Sequence, residues 1–132
     1  MKYLLDTHAL LWAIISDDKL SKKAAHILHQ PENEILVSSI SFWEISLKFS
    51  LKKLRLIDVQ PDDFPAACLK MGFSIVNMNA EDSSTYHQLS AKYHKDPFDR
   101  MLIWTAIRNN YIFISKDENA KKYESEGLKV MW

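Results

Sequence analysis

Glu44 is an acidic residue inside an apolar helical stripe. Ile40, Leu47 and Leu51 stand four residues before, three after and seven after it, so they share its face of a helix. A buried carboxylate is costly unless it has a partner. Lys48, one turn further on, offers the alternative interpretation of a surface ion pair. The pattern favours a functional role for Glu44.

Asp6 and Asp117 each come just after a short apolar run that reads as a strand. Asp6 directly follows 3–5, and Asp117 follows 111–114 by two residues. Either carboxylate could simply cap the helix that is predicted to start next. Taken singly, neither position separates a cap from a catalytic or metal-binding group.

A further acidic pair lies in the segment 96–100. Pro97 is suited to the first helical position, which makes Asp96 the predicted N-cap. Asp99 could complete a capping box. It also precedes two apolar residues of the buried stripe by three and four positions, so it points to the core side of that helix. We interpret Asp96 as a cap that can assist the site, and Asp99 as functional.

The elements that must position these acids alternate between strand and helix. Strands are predicted over 2–5, 35–37, 74–76, 111–114 and 128–130. Helices are predicted over about 7–15, 22–29, 39–51, 61–71, 80–93 and 97–109, with a short one after Asp117. Ser21 is the predicted cap of the second helix, and Ser38 or Ser39 that of the third.

This alternation predicts a three-layer α/β/α sandwich around a central, mainly parallel five-stranded sheet. Ligands of such sheets bind beyond the carboxyl ends of the strands, near a topological switch point. Asp6, Glu44, Asp99 and Asp117 would then converge at one edge of the sheet. Clustered carboxylates raise one another's pKa unless a cation neutralises them, and Mg²⁺ or Mn²⁺ is the ion that oxygen ligands prefer. Such ions activate water for attack on a phosphodiester.

Composition narrows the alternatives. The 132 residues suit a single domain, 1–132, and 47% hydrophobic residues suffice for a core. Lysine plus arginine equals aspartate plus glutamate, 17 each, so nucleic-acid contacts would have to come from a local patch. Only two glycines occur, which excludes a P-loop, a dinucleotide-binding turn and a serine nucleophile elbow.

The remaining composition features concern the compartment. Cys68 is the single cysteine, so no intramolecular disulfide can form. The uncharged run 9–16 is far too short to span a membrane, and no signal-peptide cleavage site follows it. We expect a soluble, cytoplasmic protein.

Three segments resemble the PIN-domain family, and most closely the VapC-like toxins of bacterial type II toxin–antitoxin systems. They are Leu5-Asp6-Thr7-His8, Ser41-Phe42-Trp43-Glu44-Ile45, and His94-Lys95-Asp96-Pro97-Phe98-Asp99-Arg100-Met101-Leu102-Ile103. The resemblance covers essentially the whole chain. It implies a three-layer α/β/α fold, a Mg²⁺- or Mn²⁺-dependent ribonuclease activity, a homodimer and a cognate antitoxin. It implies these site residues: Asp6, Glu44 and Asp99 as core acids, Asp117 as a more variable fourth acid, and Thr7 and Ser115 as polar support.

Other groups are expected to assist. Ser39, after the second predicted strand, and Arg100, beside Asp99, are predicted to support the site or contact substrate. His94 is near it in sequence, but an oxygen-rich Mg²⁺ site needs no histidine. The tryptophans at 12, 43 and 104 are predicted to pack in the core or a dimer interface rather than to stack on bases.

Two other functions remain to be weighed against an RNA-cleaving toxin. A catalytically silent PIN-like module that binds a partner would be favoured by loss of a core acid, and none is lost. A receiver or haloacid-phosphatase-like domain would use Asp6 as phosphoryl acceptor, but His8 stands where the phosphatase pattern has a second aspartate. No motif indicates which RNA would be cleaved.

Overall fold

The computed structural model describes residues 1–90 and 92–132. The strands are β1 (Lys2–Leu5), β2 (Glu34–Ser38), β3 (Ser74–Val76), β4 (Ile112–Ile114) and β5 (Lys129–Met131). The α-helices are α1 (Thr7–Ile15), α2 (Lys22–His29), α3 (Ser39–Ser50), α4 (Phe64–Lys70), α5 (Ala80–Thr85), α6 (Pro97–Asn109) and α7 (Glu118–Lys121). Short 3₁₀ turns cover Asp17–Lys19, Pro61–Asp63, Tyr86–Gln88 and Lys122–Glu126.

All five strands form one parallel sheet in the order β3-β2-β1-β4-β5. β1 lies at the centre, with Tyr3 paired to Ile35 on one side and to Ile112 on the other. The chain builds outward from β1 first toward β3 and later toward β5, so the strand order reverses between β1 and β4. The carboxyl ends of these two strands therefore form the switch point at which parallel sheets bind ligands.

Apolar cores cover both faces of the sheet. On β1, Leu5 belongs to a core with α1, α2 and α4, whereas its neighbour Leu4 belongs to a core with α6 and α7. This alternation follows from the two-residue period of a strand. The predicted three-layer α/β/α sandwich with a five-stranded parallel sheet is thus confirmed.

One predicted helix is much shorter than expected. The pattern predicted a helix over 80–93, of which residue 91 lies outside the described residues, whereas α5 ends at Thr85 and a single 3₁₀ turn continues it to Gln88. The Ser83 and Thr85 hydroxyls donate to backbone carbonyls four residues earlier. These bonds compete with the backbone hydrogen bonds of the helix and destabilise it slightly. Leu89 then turns into the core with 3% of its surface exposed, and the chain leaves the helical path.

Smaller differences occur at other boundaries. The helix predicted over 61–71 begins as a 3₁₀ turn and becomes α-helical at Phe64. Ser38, rather than Ser39, caps α3. β5 is displaced by one residue from the prediction. Across residues 1–90 and 92–132, no helix combines the length and apolar character that crossing a bilayer requires.

Candidate active site

Asp6 lies at the carboxyl end of β1, directly beside the end of β4. Its backbone N–H donates to the Ile114 carbonyl at 3.1 Å, and its Oδ1 accepts from the Ala9 N–H at 2.7 Å. The side chain caps α1, as the cap interpretation required, yet the residue is only 6% exposed. Burial raises the pKa of Asp6, against the hydrogen bonds from the Ser115 hydroxyl and Ala9. Asp6 is therefore both the N-cap of α1 and a buried carboxylate with a raised pKa.

Glu44 is buried on α3, with 3% of its surface exposed. The Thr7 hydroxyl donates to its Oε1 at 2.6 Å, and Lys48 forms an ion pair with its Oε2. The predicted alternative of a Glu44–Lys48 pair is therefore present, but on a buried carboxylate rather than at the surface. Burial lowers the pKa of Lys48, and the hydrogen bond and charge of Glu44 more than offset this, so that the net shift is upward.

Asp99 and Asp117 meet around the imidazole of His94. The His94 Nε2 lies 2.5 Å from Asp117 Oδ2 and 3.2 Å from Asp99 Oδ2. One ligand atom from each of these three residues lies within 4.8 Å of the others. Asp117 also caps α7, accepting from the Asn119 N–H at 2.8 Å.

Electrostatic coupling joins these groups into one cluster. Burial raises the pKa of Asp99 to about 7; the charge of His94 opposes this rise, and those of Asp96, Glu44 and Asp6 add to it. The charge of Asp117 likewise raises the pKa of Asp6. The structure thus brings together the four acids that were singled out from the sequence.

Two of the expected supporting residues also reach the cluster. The Ser115 hydroxyl bonds Asp6 and accepts from the Asp117 N–H at 3.1 Å, so it joins the ends of β1 and β4. Asp96 caps α6 through the Phe98 N–H at 2.8 Å, and its Oδ2 lies 3.9 Å from Lys48 Nζ.

The model of the PIN domain matches residues 3–126 of this sequence. The chain belongs to the PIN domain family. The resemblance found from the sequence is therefore confirmed. The chain is also 22% identical over 129 residues to Ribonuclease VapC22 of Mycobacterium tuberculosis. The aligned region covers 98% of this chain and 97% of that relative.

Solved structures share the fold at low identity. VapBC2 from Rickettsia felis, bound to a DNA fragment from its promoter, superposes with a TM-score of 0.69 and 18% identity, covering 100% of this chain and 99% of the other. VapBC-1 from nontypeable Haemophilus influenzae superposes with a TM-score of 0.68 and 14% identity, and the match covers 99% of this chain and 97% of the other. At such identities the likeness shows the fold.

Arg100 bonds groups on three segments that pack beside α6 in this PIN domain. It is 8% exposed, and its guanidinium donates to Tyr86 Oη, Tyr123 Oη and the Leu89 carbonyl, each at 2.8 Å. The guanidinium thereby holds together α6, the 3₁₀ turns and Leu89, and the predicted contact with substrate stays a prediction.

Ser39 is also placed away from the acids. Its hydroxyl accepts from the Met78 N–H at 3.0 Å and so links the end of β2 to the end of β3. The acids instead gather at β1 and β4. The position of Ser39 after a strand correctly predicted that it lies at the carboxyl edge of the sheet. It did not indicate which strand ends along that edge lie next to the acids.

The sequence analysis underestimated the part that His94 plays in the site. Its backbone N–H donates to Tyr123 Oη at 3.1 Å, which fixes the segment before α6, and its ring then reaches both acids. The available signal was its position two residues before the α6 cap, where the chain must pass the helix N-terminus.

The donor set of the cluster suits a hard divalent cation. Asp6, Glu44, Asp99 and Asp117 supply carboxylate oxygens, and in the described part of the chain Lys48 and His94 are the basic groups paired with them. Asp82, a buried acid elsewhere, differs because Asn79, Asn109 and Arg108 surround it. Burial, with the charges of Asp96, Glu44 and Asp6 adding to it, raises the pKa of Asp99, so this carboxylate would gain from a nearby cation.

Proposed function

We propose that this protein is a Mg²⁺- or Mn²⁺-dependent endoribonuclease that hydrolyses RNA phosphodiester bonds. The observation that carries the proposal is the cluster of four coupled carboxylates at the switch point between β1 and β4. Membership of the PIN domain family and similarity to a protein named as a ribonuclease support RNA as the substrate.

The proposed ligands are Asp6, Glu44, Asp99 and Asp117. A divalent ion held by them would activate water and neutralise charge on the phosphoryl group. Thr7 fixes the orientation of Glu44 by donating to Oε1, and Lys48 holds the other oxygen. Ser115 sets the spacing of Asp6 and Asp117. Asp96 adds negative charge beside Asp99.

His94 acts in this proposal as a positioning residue. Its ring bridges Asp99 and Asp117 and keeps the two carboxylates facing the same point. Groups that orient metal ligands in this way commonly contribute 10–100-fold, as a rough range, to metal affinity or activity.

We further propose that the enzyme is the toxin of a type II toxin–antitoxin pair and that an antitoxin protein binds it. We also propose that it forms a homodimer, that it acts in the cytoplasm, and that residues 1–132 form one domain. The similarity to VapBC complexes supports a protein partner. An exposed apolar face supports a second copy: Trp43 is 59% exposed, and its ring meets Phe98 edge-on at 4.9 Å beside Met78.

Cleavage of total cellular RNA with Mg²⁺, Mn²⁺ or EDTA tests the catalytic proposal. We expect metal-dependent cleavage that falls at least ~100-fold in Asp6→Asn and Glu44→Gln, since each removes a charged ligand. Asp18→Asn and Glu32→Gln make the same chemical changes at exposed positions and should cleave normally.

Two results would overturn this function. Cleavage that persists in EDTA, or in both site variants, contradicts the metal site. A wild-type protein that binds an antitoxin but cleaves no RNA with either metal would instead establish the silent partner-binding module.

A further inference from the structure

A pocket opens directly beside the carboxylate cluster, on the β5 side of the sheet. It encloses about 520 Å³, within the roughly 300–1,000 Å³ typical of ligand sites. Ser115 and Asp117 line it, and both also belong to the cluster. Any chain lying across the cluster toward β5 therefore passes into this pocket.

Lysines outnumber acids in the lining of this pocket. Lys23, Lys116 and Lys121 line it, and all three are exposed. In the described ranges none of the three forms an ion pair with a carboxylate, whereas Lys48 on the other side of the cluster is paired with Glu44. The acids lining the same pocket are Asp117 and Glu118, and Asp117 is a proposed metal ligand. Unpaired lysines around a pocket are suited to phosphate.

An indole forms the apolar wall of this pocket. Trp132 lies there with Val130 and Met131 and remains half-exposed. Its ring packs against Trp12 at 5.6 Å between centroids, and Lys116 Nζ lies 5.8 Å from the centre of the Trp12 ring. Trp12 thus supports both Trp132 and Lys116. A supported indole beside cations is the combination that binds single-stranded nucleic acid.

We propose that this pocket binds the nucleotide of a single-stranded RNA next to the scissile phosphate, with its base stacked on Trp132 and its phosphates against Lys116 and Lys121. The proposal rests on the ribonuclease function proposed above and adds a substrate subsite to it. Bound on that side, the RNA would leave the cluster toward β5 rather than toward β3.

Binding of a fluorescein-labelled, mixed-sequence single-stranded RNA tests the subsite without cleavage. The measurement uses fluorescence anisotropy of the full chain carrying Asp6→Asn, over a range of salt concentrations. We expect the added pair Lys116→Gln and Lys121→Gln to weaken binding and to lower the slope of log affinity against log salt by about 1.4, because each phosphate contact contributes roughly 0.7 for single strands.

Trp132→Ala should weaken binding about 10-fold at an unchanged salt slope, because it removes stacking and no charge. An RNA probe with abasic sites should bind this variant and the parent equally. Lys70→Gln, an exposed lysine on α4, is the matched control and should leave affinity and slope as they are. In the active background, the lysine pair and Trp132→Ala should raise KM for the RNA.

The outcomes separate the subsite from the function. Unchanged affinity and slope in the folded lysine pair overturn the subsite, even where the parent enzyme cleaves RNA. Loss of binding to a copurified partner protein, with RNA binding intact, overturns it in favour of a protein contact. A parent that cleaves no RNA but shows the expected slope change overturns the catalytic proposal and leaves the RNA-binding pocket supported.

Discussion

At the scale of single residues, the site depends on carboxylates that are buried or crowded by other acids, and burial raises the pKa of Asp6 and of Asp99. Asp6 and Glu44 are almost fully buried, and Asp99 faces three other acids. Water does not stabilise these charges well, so they gain most from a cation. Assembling them costs local stability, which the proposed metal ion would restore on binding.

Asp99 gives this instability a definite pH dependence. Burial and neighbouring acids raise its pKa from an ordinary 3.8 to about 7. Between these values the folded protein holds a proton that the unfolded chain releases, so stability falls as pH rises from about 4 through 7. In EDTA, the free energy of unfolding should be about 1 kcal/mol lower at about pH 8 than at about pH 6.

Thermal melts at the two pH values measure this effect. The difference should shrink in Asp99→Asn, which cannot ionise. Mn²⁺ should stabilise the parent protein more at the higher pH, because the ion and the proton compete for the same oxygens. Stability that rises between the two pH values in EDTA would contradict the assignment.

At the scale of elements, the site is held by the contacts between helix ends and the turns that follow them. Arg100 on α6 binds Tyr86, Tyr123 and the Leu89 carbonyl, and Tyr123 in turn accepts from the His94 backbone. Through these bonds α6 fixes the course of the chain from α5 to its own N-terminus. The position of His94 between the acids follows from that course.

Arg100→Gln should therefore disturb the site by removing the bonds that hold these segments together. It leaves buried hydroxyl and carbonyl groups with fewer donors, and we expect a loss of about 2–4 kcal/mol in the free energy of unfolding. With His94 less firmly held, kcat for RNA cleavage should fall while KM changes little.

Denaturant titration and steady-state kinetics check this prediction. Arg55→Gln, in the exposed loop after α3, is the control and should alter neither quantity. A rise in KM with unchanged kcat and stability would instead return Arg100 to the substrate-contact role predicted from the sequence.

At the scale of the whole molecule, zero net charge hides an uneven surface. One side carries the unpaired lysines beside the acidic cluster, and another carries the apolar face of α3 and α6 around Trp43. These surfaces suit different partners, the first a polyanion and the second a protein.

The apolar face predicts how the proposed homodimer should respond to mutation. Sedimentation velocity over a range of concentrations should show a dimer whose dissociation constant rises at least ~10-fold in Trp43→Ser, since buried aromatic side chains dominate such contacts. Leu69→Ser, on the exposed side of α4 with 62% exposure, is the control and should stay dimeric. A monomeric parent, or a dimer unaffected by Trp43→Ser, would contradict the proposed contact.

The sequence by itself determined the fold class, the order of strands and helices and the clustering of Asp6, Glu44, Asp99 and Asp117. Apolar periodicity defines strands and helices locally, and parallel strands bring their carboxyl ends to one edge. An acid on an apolar stripe, such as Glu44, is visible in that pattern alone. The helix predicted beyond Thr85 was wrong for residues 86–90, because their course depends on the burial of Leu89 rather than on periodicity.

Only the tertiary structure decided where His94 and Arg100 point. His94 bonds Tyr123 and Asp117, which are 29 and 23 residues away, and Arg100 bonds tyrosines on two different turns. The lysine pocket is likewise assembled from α2, the end of β4, α7 and β5. Such contacts join distant segments through side-chain packing, and no local spacing in the sequence records which segments will meet.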